Sequence, residues 1–257
     1  MSAITHGATL GAHPVSAGHR VWRVVRLNLV NTRTVFVVPA IVMGSILLVN
    51  AAIWYIITAT TSGTDRVDAM TGTQYSGGSF YIFVFMLVIG VQVVTATFPF
   101  ALGLSATRRD FALGSGLTFV LLAAVYSIAF AALSLVERAT GGWFLGGHLF
   151  TSLYFGANVG QRLLVVFFGL LFCFFVGAMG GTLFMRWRAT GVMLGGAALA
   201  VVVLGALAAV SFSDSWGAVG RSLLAAGPLG IATWLLVPIA VCSIAGFTVL
   251  RRATPKS

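Results

Sequence analysis

Long apolar runs alternate with short polar ones along the whole chain. Six runs, at 35–58, 80–104, 115–136, 163–185, 191–212 and 229–250, carry almost no charge. Apolar runs of about 18 residues or more read as membrane spans. At about 1.5 Å of rise per residue, each is long enough to cross a hydrocarbon core of about 30 Å. Backbone groups in lipid must find their hydrogen bonds within the segment, so the predicted elements are helices. The alternating ten-residue segments of a membrane barrel are absent. The pattern therefore predicts an all-α integral membrane protein, with six transmembrane helices over 34–251.

Ahead of the first run, residues 18–33 place Val21, Trp22, Val25 and Leu29 on one side of a helical wheel. Arg20, Arg23 and Arg26 fall away from them. That is the pattern of an amphipathic helix lying on a membrane surface. Residues 1–17 read as a disordered tail and 252–257 as a second short tail. The first 19 residues contain no apolar run, so no cleavable signal peptide is expected. His6, His13 and His19 are spaced too loosely to suggest a metal site, and no metal is expected.

Composition agrees with the pattern. Hydrophobic residues make up 59% of the 257 and charged residues 8%, where a soluble domain has about 25% charged. A large soluble domain with buried helices would need polar faces that these runs lack. The net charge is +10, and its distribution sets an orientation. With a cytoplasmic N-terminus, the inner segments hold Arg20, Arg23, Arg26, Arg33, Arg108, Arg109, Arg186, Arg188, Arg251, Arg252 and Lys256. The outer ones hold Arg66, Arg138, Arg162 and Arg221, with Asp65, Asp68, Glu137 and Asp214. The positive-inside rule then expects both termini in the cytoplasm. These charges border spans and build no basic domain, so the expected partners include membrane lipids but no nucleic acid. Cys173 and Cys242 lie inside spans and read as small apolar residues. Interfacial anchoring accounts for Trp54, Tyr55, Tyr81, Trp187 and Trp234.

Chemistry is bounded mainly by what is missing. No G-x-x-x-x-G-K-[ST] occurs, and Lys256 is the only lysine, so the chain carries no P-loop. No acid, histidine or base sits well inside a span, which disfavours proton-coupled transport. There is no H-E-x-x-H and no G-x-S-x-G, and Ser127 and Ser134 have no base beside them. The chain is not expected to be an enzyme or to bind a cofactor itself.

Three stretches stand out. In the second run Gln92, Thr95, Pro99 and Gly103 share a face. Pro99 frees the carbonyl of Thr95 and tends to kink the helix. Gln92, Thr95 and Pro99 are candidates for a translocation pathway, with a polar helix–helix contact as the alternative. Gly177/Gly181 and Gly191/Gly195 are GxxxG pairs whose default reading is close helix packing. Residues 137–162 are too apolar for a free loop and too rich in glycine for a span, so a short interfacial or re-entrant element is expected there. By contrast, 213–228 reads as a brief connection.

The segment between the second and third runs carries the most information. Thr107 can cap a short helix that Gly114 and Gly116 end, carrying Arg108, Arg109, Asp110 and an exposed Phe111. Gly103, Ser105, Arg108, Arg109, Asp110, Phe111 and Gly114, together with the six spans and the amphipathic helix, resemble the ABC-2 class of exporter permeases. The resemblance implies a coupling helix in which Arg108, Arg109, Asp110 and Phe111 dock on a separate nucleotide-binding ATPase subunit. It also implies a second permease copy or a related permease, ATP on the partner subunit only, and residence in a bacterial plasma membrane. The competing reading is a non-transporting membrane anchor or assembly protein.

Overall fold

The computed structural model describes residues 17–252. The two tails, with His6, His13 and Lys256, lie outside these described residues. Among the described residues there is no strand. Five helical stretches are long and apolar enough to cross a membrane: Arg33–Thr60, Gly63–Gly103, Arg108–Ala139, Val159–Phe212 and Trp216–Arg251. That makes the chain, by length and composition, a multi-pass membrane protein.

The helices are α1 (Ala17–Asn28), α2 (Val38–Thr60), α3 (Gly63–Gly72), α4 (Tyr81–Gln92), α5 (Phe98–Gly103), α6 (Arg108–Ala139), α7 (Val159–Phe212), α8 (Trp216–Trp234) and α9 (Leu236–Arg252). A π-helical turn, Arg33–Val37, leads into α2, and another, Val93–Thr97, joins α4 to α5. The second ends two residues before Pro99. A proline removes one helical donor, and the widened turn absorbs the mismatch.

α7 has 54 residues. A straight helix of that length would run about 81 Å, far beyond a hydrocarbon core. It does not run straight. Arg188 takes φ 58° and ψ −148°, which breaks the helix there. A Cβ on Gly195 would lie 2.7 Å from Leu183 Cδ1, and one on Gly191 would lie 2.9 Å from the Leu183 carbonyl oxygen. Residues that far apart along a straight helix do not touch. The chain therefore turns sharply at Arg188, which separates the run 163–185 from the run 191–212. α8 is also broken, at Gly227 with φ 64° and ψ −178°, a conformation essentially restricted to glycine. Residues 216–226 are thus a separate helical segment where the pattern predicts only a brief connection. The break separates it from Pro228 and the run that continues into α9.

α7 is the hub of the packing, lying against α4, α6, α8 and α9. Glycines set how close it comes to α4. A Cβ on Gly177 would sit 2.1 Å from the Leu87 carbonyl oxygen, and one on Gly90 2.4 Å from that of Phe174. Gly181 lies 3.0 Å, on the same measure, from the Val91 carbonyl oxygen. The Gly177/Gly181 pair is a packing seam, as its spacing predicts; Gly90 is the matching notch on α4.

α1 departs from the expected surface helix in its bounds and its partner. It ends at Asn28, not at 33, and it packs on α6. Val24 and Val25 are buried, whereas Trp22 is half exposed. Asn28 donates from Nδ2 to Ser115 Oγ (3.3 Å) and Thr118 Oγ1 (3.2 Å). Arg20 pairs with Asp110 at 3.0 Å. The contact is close because α6 has Gly114 at that level, where a Cβ would lie 2.5 Å from Val24 Cβ.

Candidate functional site

Three places bear on function: the Arg108 end of α6, the face carrying Gln92, and the opposite end of α6 around Glu137. α6 spans 32 residues, or about 48 Å, so the first and last lie at opposite ends of the molecule.

At the Arg108 end, Thr107 caps the helix as its position predicts, accepting from the Asp110 N–H at 3.1 Å. The helix does not stop at Gly114 or Gly116; it runs unbroken to Ala139. No separate short helix exists, because Gly114 serves as a contact for α1 and not as a terminator. Phe111 is also not the exposed aromatic expected. It is 1% exposed and packs on Phe98 with ring centroids 5.0 Å apart. Asp110 is buried and engaged by Arg20. Arg108 donates from Nη1 to the carbonyl oxygens of Leu250 (3.1 Å) and Arg251 (2.6 Å), tying the start of α6 to the end of α9. Three of the four residues picked out by the motif thus hold the fold together. Arg109, Leu104 and Ser105 are among the exposed groups at this end.

On the second apolar run, Gln92, Pro99 and Gly103 are exposed on the protein surface and Thr95 is half-buried. Thr95 Oγ1 donates back to the Val91 carbonyl oxygen at 3.0 Å. Gln92 lies midway between Tyr81 and Gly103, about 16 Å from either end, and its amide makes no hydrogen bond to a described residue.

At the far end of α6, a single carboxylate organises the whole 141–156 segment. Glu137 is 1% exposed. Its Oε2 accepts from Trp143 Nε1 (2.9 Å) and from the backbone N–H groups of Leu149 (3.1 Å) and Phe150 (2.9 Å). Its Oε1 accepts from the Thr151 N–H (2.9 Å) and from the Thr151 hydroxyl. A carboxylate accepts only, so converging donors suit it. The segment then folds inward. Phe150 and Phe155 bury against Phe130, with centroids 5.2 and 4.9 Å apart, and Gly147 lies over the ring of Trp54. Trp54 is consequently buried, not an interfacial anchor.

Beside Glu137, Arg162 is also buried. It donates from Nη1 to Ser134 Oγ (3.2 Å) and from Nη2 to the Gly156 carbonyl oxygen (2.9 Å). Its Nε has no partner. Asn158 caps α7 by accepting from the Gln161 N–H at 2.8 Å, and Gln161 accepts in return from the Ala157 N–H at 3.2 Å. That reciprocal cap fixes the turn from which Arg162 projects. Its N-x-x-Q spacing is readable in the sequence; the roles of Glu137 and Arg162 are not.

Among the described residues, no group of three or more His, Cys, Asp or Glu side chains is placed to hold a metal. Comparison with family models, with curated proteins and with solved structures finds no match for the chain.

Proposed function

We propose that the chain is the membrane subunit of an ATP-driven exporter of the ABC-2 type, crossing a bacterial plasma membrane six times with both termini cytoplasmic. The break at Arg188 supports the sixth crossing, because the part of α7 on either side of it is long enough for one. The observation that carries the transport reading is Gln92. An unbonded amide exposed at the midpoint of an apolar span is costly against hydrocarbon. It is accommodated where water or a partner helix covers it, as in a pathway completed by a second permease copy. The π turn and Pro99 on the same stretch add a conformationally adaptable segment, of the kind often found at functional sites. The sequence carries no P-loop, so this reading assigns ATP hydrolysis to a separate ATPase subunit.

The docking surface for that subunit is Arg109 with Leu104 and Ser105. Phe111 and Asp110 lie behind it, supporting the start of α6. This replaces an exposed-aromatic anchor with an arginine that meets a carboxylate on the partner. The test is the vanadate-sensitive ATP hydrolysis of the complex purified through this chain from its native membrane. Arg109→Glu is expected to abolish the co-purifying activity while insertion stays normal. Full activity in Arg109→Glu contradicts the docking surface, and absence of any activity with the wild-type chain contradicts the exporter reading.

A further inference from the structure

The cavity at the Glu137 end of α6 has a volume of about 620 Å³ and is lined by Arg138, Arg162, His148, Glu137 and Leu153, among others. Ligand sites fall in the range of about 300–1,000 Å³. Two arginines against one glutamate leave the wall with one excess positive charge. Both oxygens of Glu137 are already filled by donors from the 141–156 segment. Among the described residues no carboxylate lies within 4.0 Å of Arg162, the one such pair being Arg20–Asp110. A buried guanidinium with no carboxylate paired directly to it is expensive, and Arg162 is 1% exposed with its Nε unsatisfied.

Topology does not explain these arginines. Retention of positive charge is favoured at the other end of the bundle, where most of the arginines lie. Here two are held in one wall, on α6 and α7, by specific hydrogen bonds to Ser134, Gly156 and Ala157. Arg138 is exposed and stands at the cavity with donors to spare. Leu153, in the same wall, is 51% exposed and gives the cavity an apolar flank.

We infer that this cavity is a binding site for a phosphate-type anion, with Arg138 and His148 making direct contact and Arg162 supplying the buried charge that attracts it. Guanidinium groups suit the several oxygens of a phosphate. The room beyond a bare phosphate and the flank at Leu153 fit a glycerophosphate headgroup with the start of an acyl chain. The phosphate is supplied by an anionic lipid or by a free phosphate compound. The site stands independently of the exporter proposal and of any ATPase partner.

The test uses the full chain in a non-ionic detergent, following its thermal unfolding midpoint against ligand at matched ionic strength. The probes are inorganic phosphate, glycerol 1-phosphate and monomeric dihexanoyl phosphatidylglycerol, with chloride as the baseline. Binding to the folded state raises the midpoint in a saturable way. At least one phosphate probe is expected to do so. A response to phosphatidylglycerol alone identifies the lipid as the source, and an equal response to glycerol 1-phosphate identifies the free compound. Arg138→Gln, which alters an exposed side chain, is expected to weaken the apparent affinity at least fivefold. Arg109→Gln with Arg251→Gln, at the other end of the molecule, is expected to leave it unchanged. The inference is overturned if no probe exceeds chloride, if Arg138→Gln binds as the wild type does, or if the distal pair weakens binding equally.

Discussion

Glu137 shows how much one side chain can determine in this chain. It holds a glycine-rich, aromatic stretch, with only a π turn at Gly142–Gly146 and a 3-10 turn at Leu153–Phe155, as a fixed cap over the end of the bundle. The reason is donor bookkeeping: three backbone N–H groups, an indole N–H and a hydroxyl converge on two oxygens. Removing the charge should release the cap. In Glu137→Gln one oxygen becomes an NH₂ that faces donors, leaving buried N–H groups unpaired at about 1–3 kcal/mol each. The expected outcome is a loss of about 2–4 kcal/mol, seen as a lower unfolding midpoint and as new proteolytic cleavage within 141–156. Unchanged protection of that segment would contradict the role given to Glu137. A lone acid at a span end gives no such signal in sequence. What the sequence does give is the mismatch itself, a segment too apolar to be a free loop, beside an Asn158-x-x-Gln161 helix start.

Among the elements, glycine placement decides what packs on what. Gly90, Gly177 and Gly181 let α4 and α7 approach to backbone contact, whereas Gly180 has nothing within 4 Å of an added Cβ. Gly177→Ala should cost about 1–3 kcal/mol through overpacking, read as reduced folded yield and a lower unfolding midpoint. Gly180→Ala should match or slightly exceed the wild type, since alanine is the better helix former by about 1 kcal/mol. Similar losses in both would remove the seam. Gly114→Ala is a second case. Its methyl would strike Val24, so α1 should lift from α6 and the Arg20–Asp110 pair should part. A cysteine at Val25, buried in the wild type, should then become reactive to a thiol reagent. These contacts also mark the limit of the sequence pattern. Thr107 is legible as a cap because capping is local. Gly114 reads as a helix stop because a glycine near a helix start has two uses, termination and close approach, and only the neighbouring α1 decides between them. Phe111 reads as exposed for the same reason: its burial against Phe98 depends on a contact between elements.

For the whole molecule, the apolar runs carry most of the architecture, because the membrane sets one length for every crossing. The pattern separates 163–185 from 191–212 at Arg186–Thr190, and the structure breaks α7 at Arg188. α6 by itself puts Arg109 and the Glu137 cavity at opposite ends; if α7 crosses once on each side of Arg188, the chain makes six crossings and both termini lie on the Arg109 side. The exporter proposal depends on that arrangement. Single cysteines at Ser62, Ser105, Ala189 and Ser213, in a background lacking Cys173 and Cys242, test it directly with a membrane-impermeant thiol reagent on intact cells. Cysteines at 62 and 213 should be labelled, and those at 105 and 189 only after the cells are opened. Labelling of 189 from outside, or protection of 213, would mean that α7 does not reverse across the membrane, and the six-crossing account would fail.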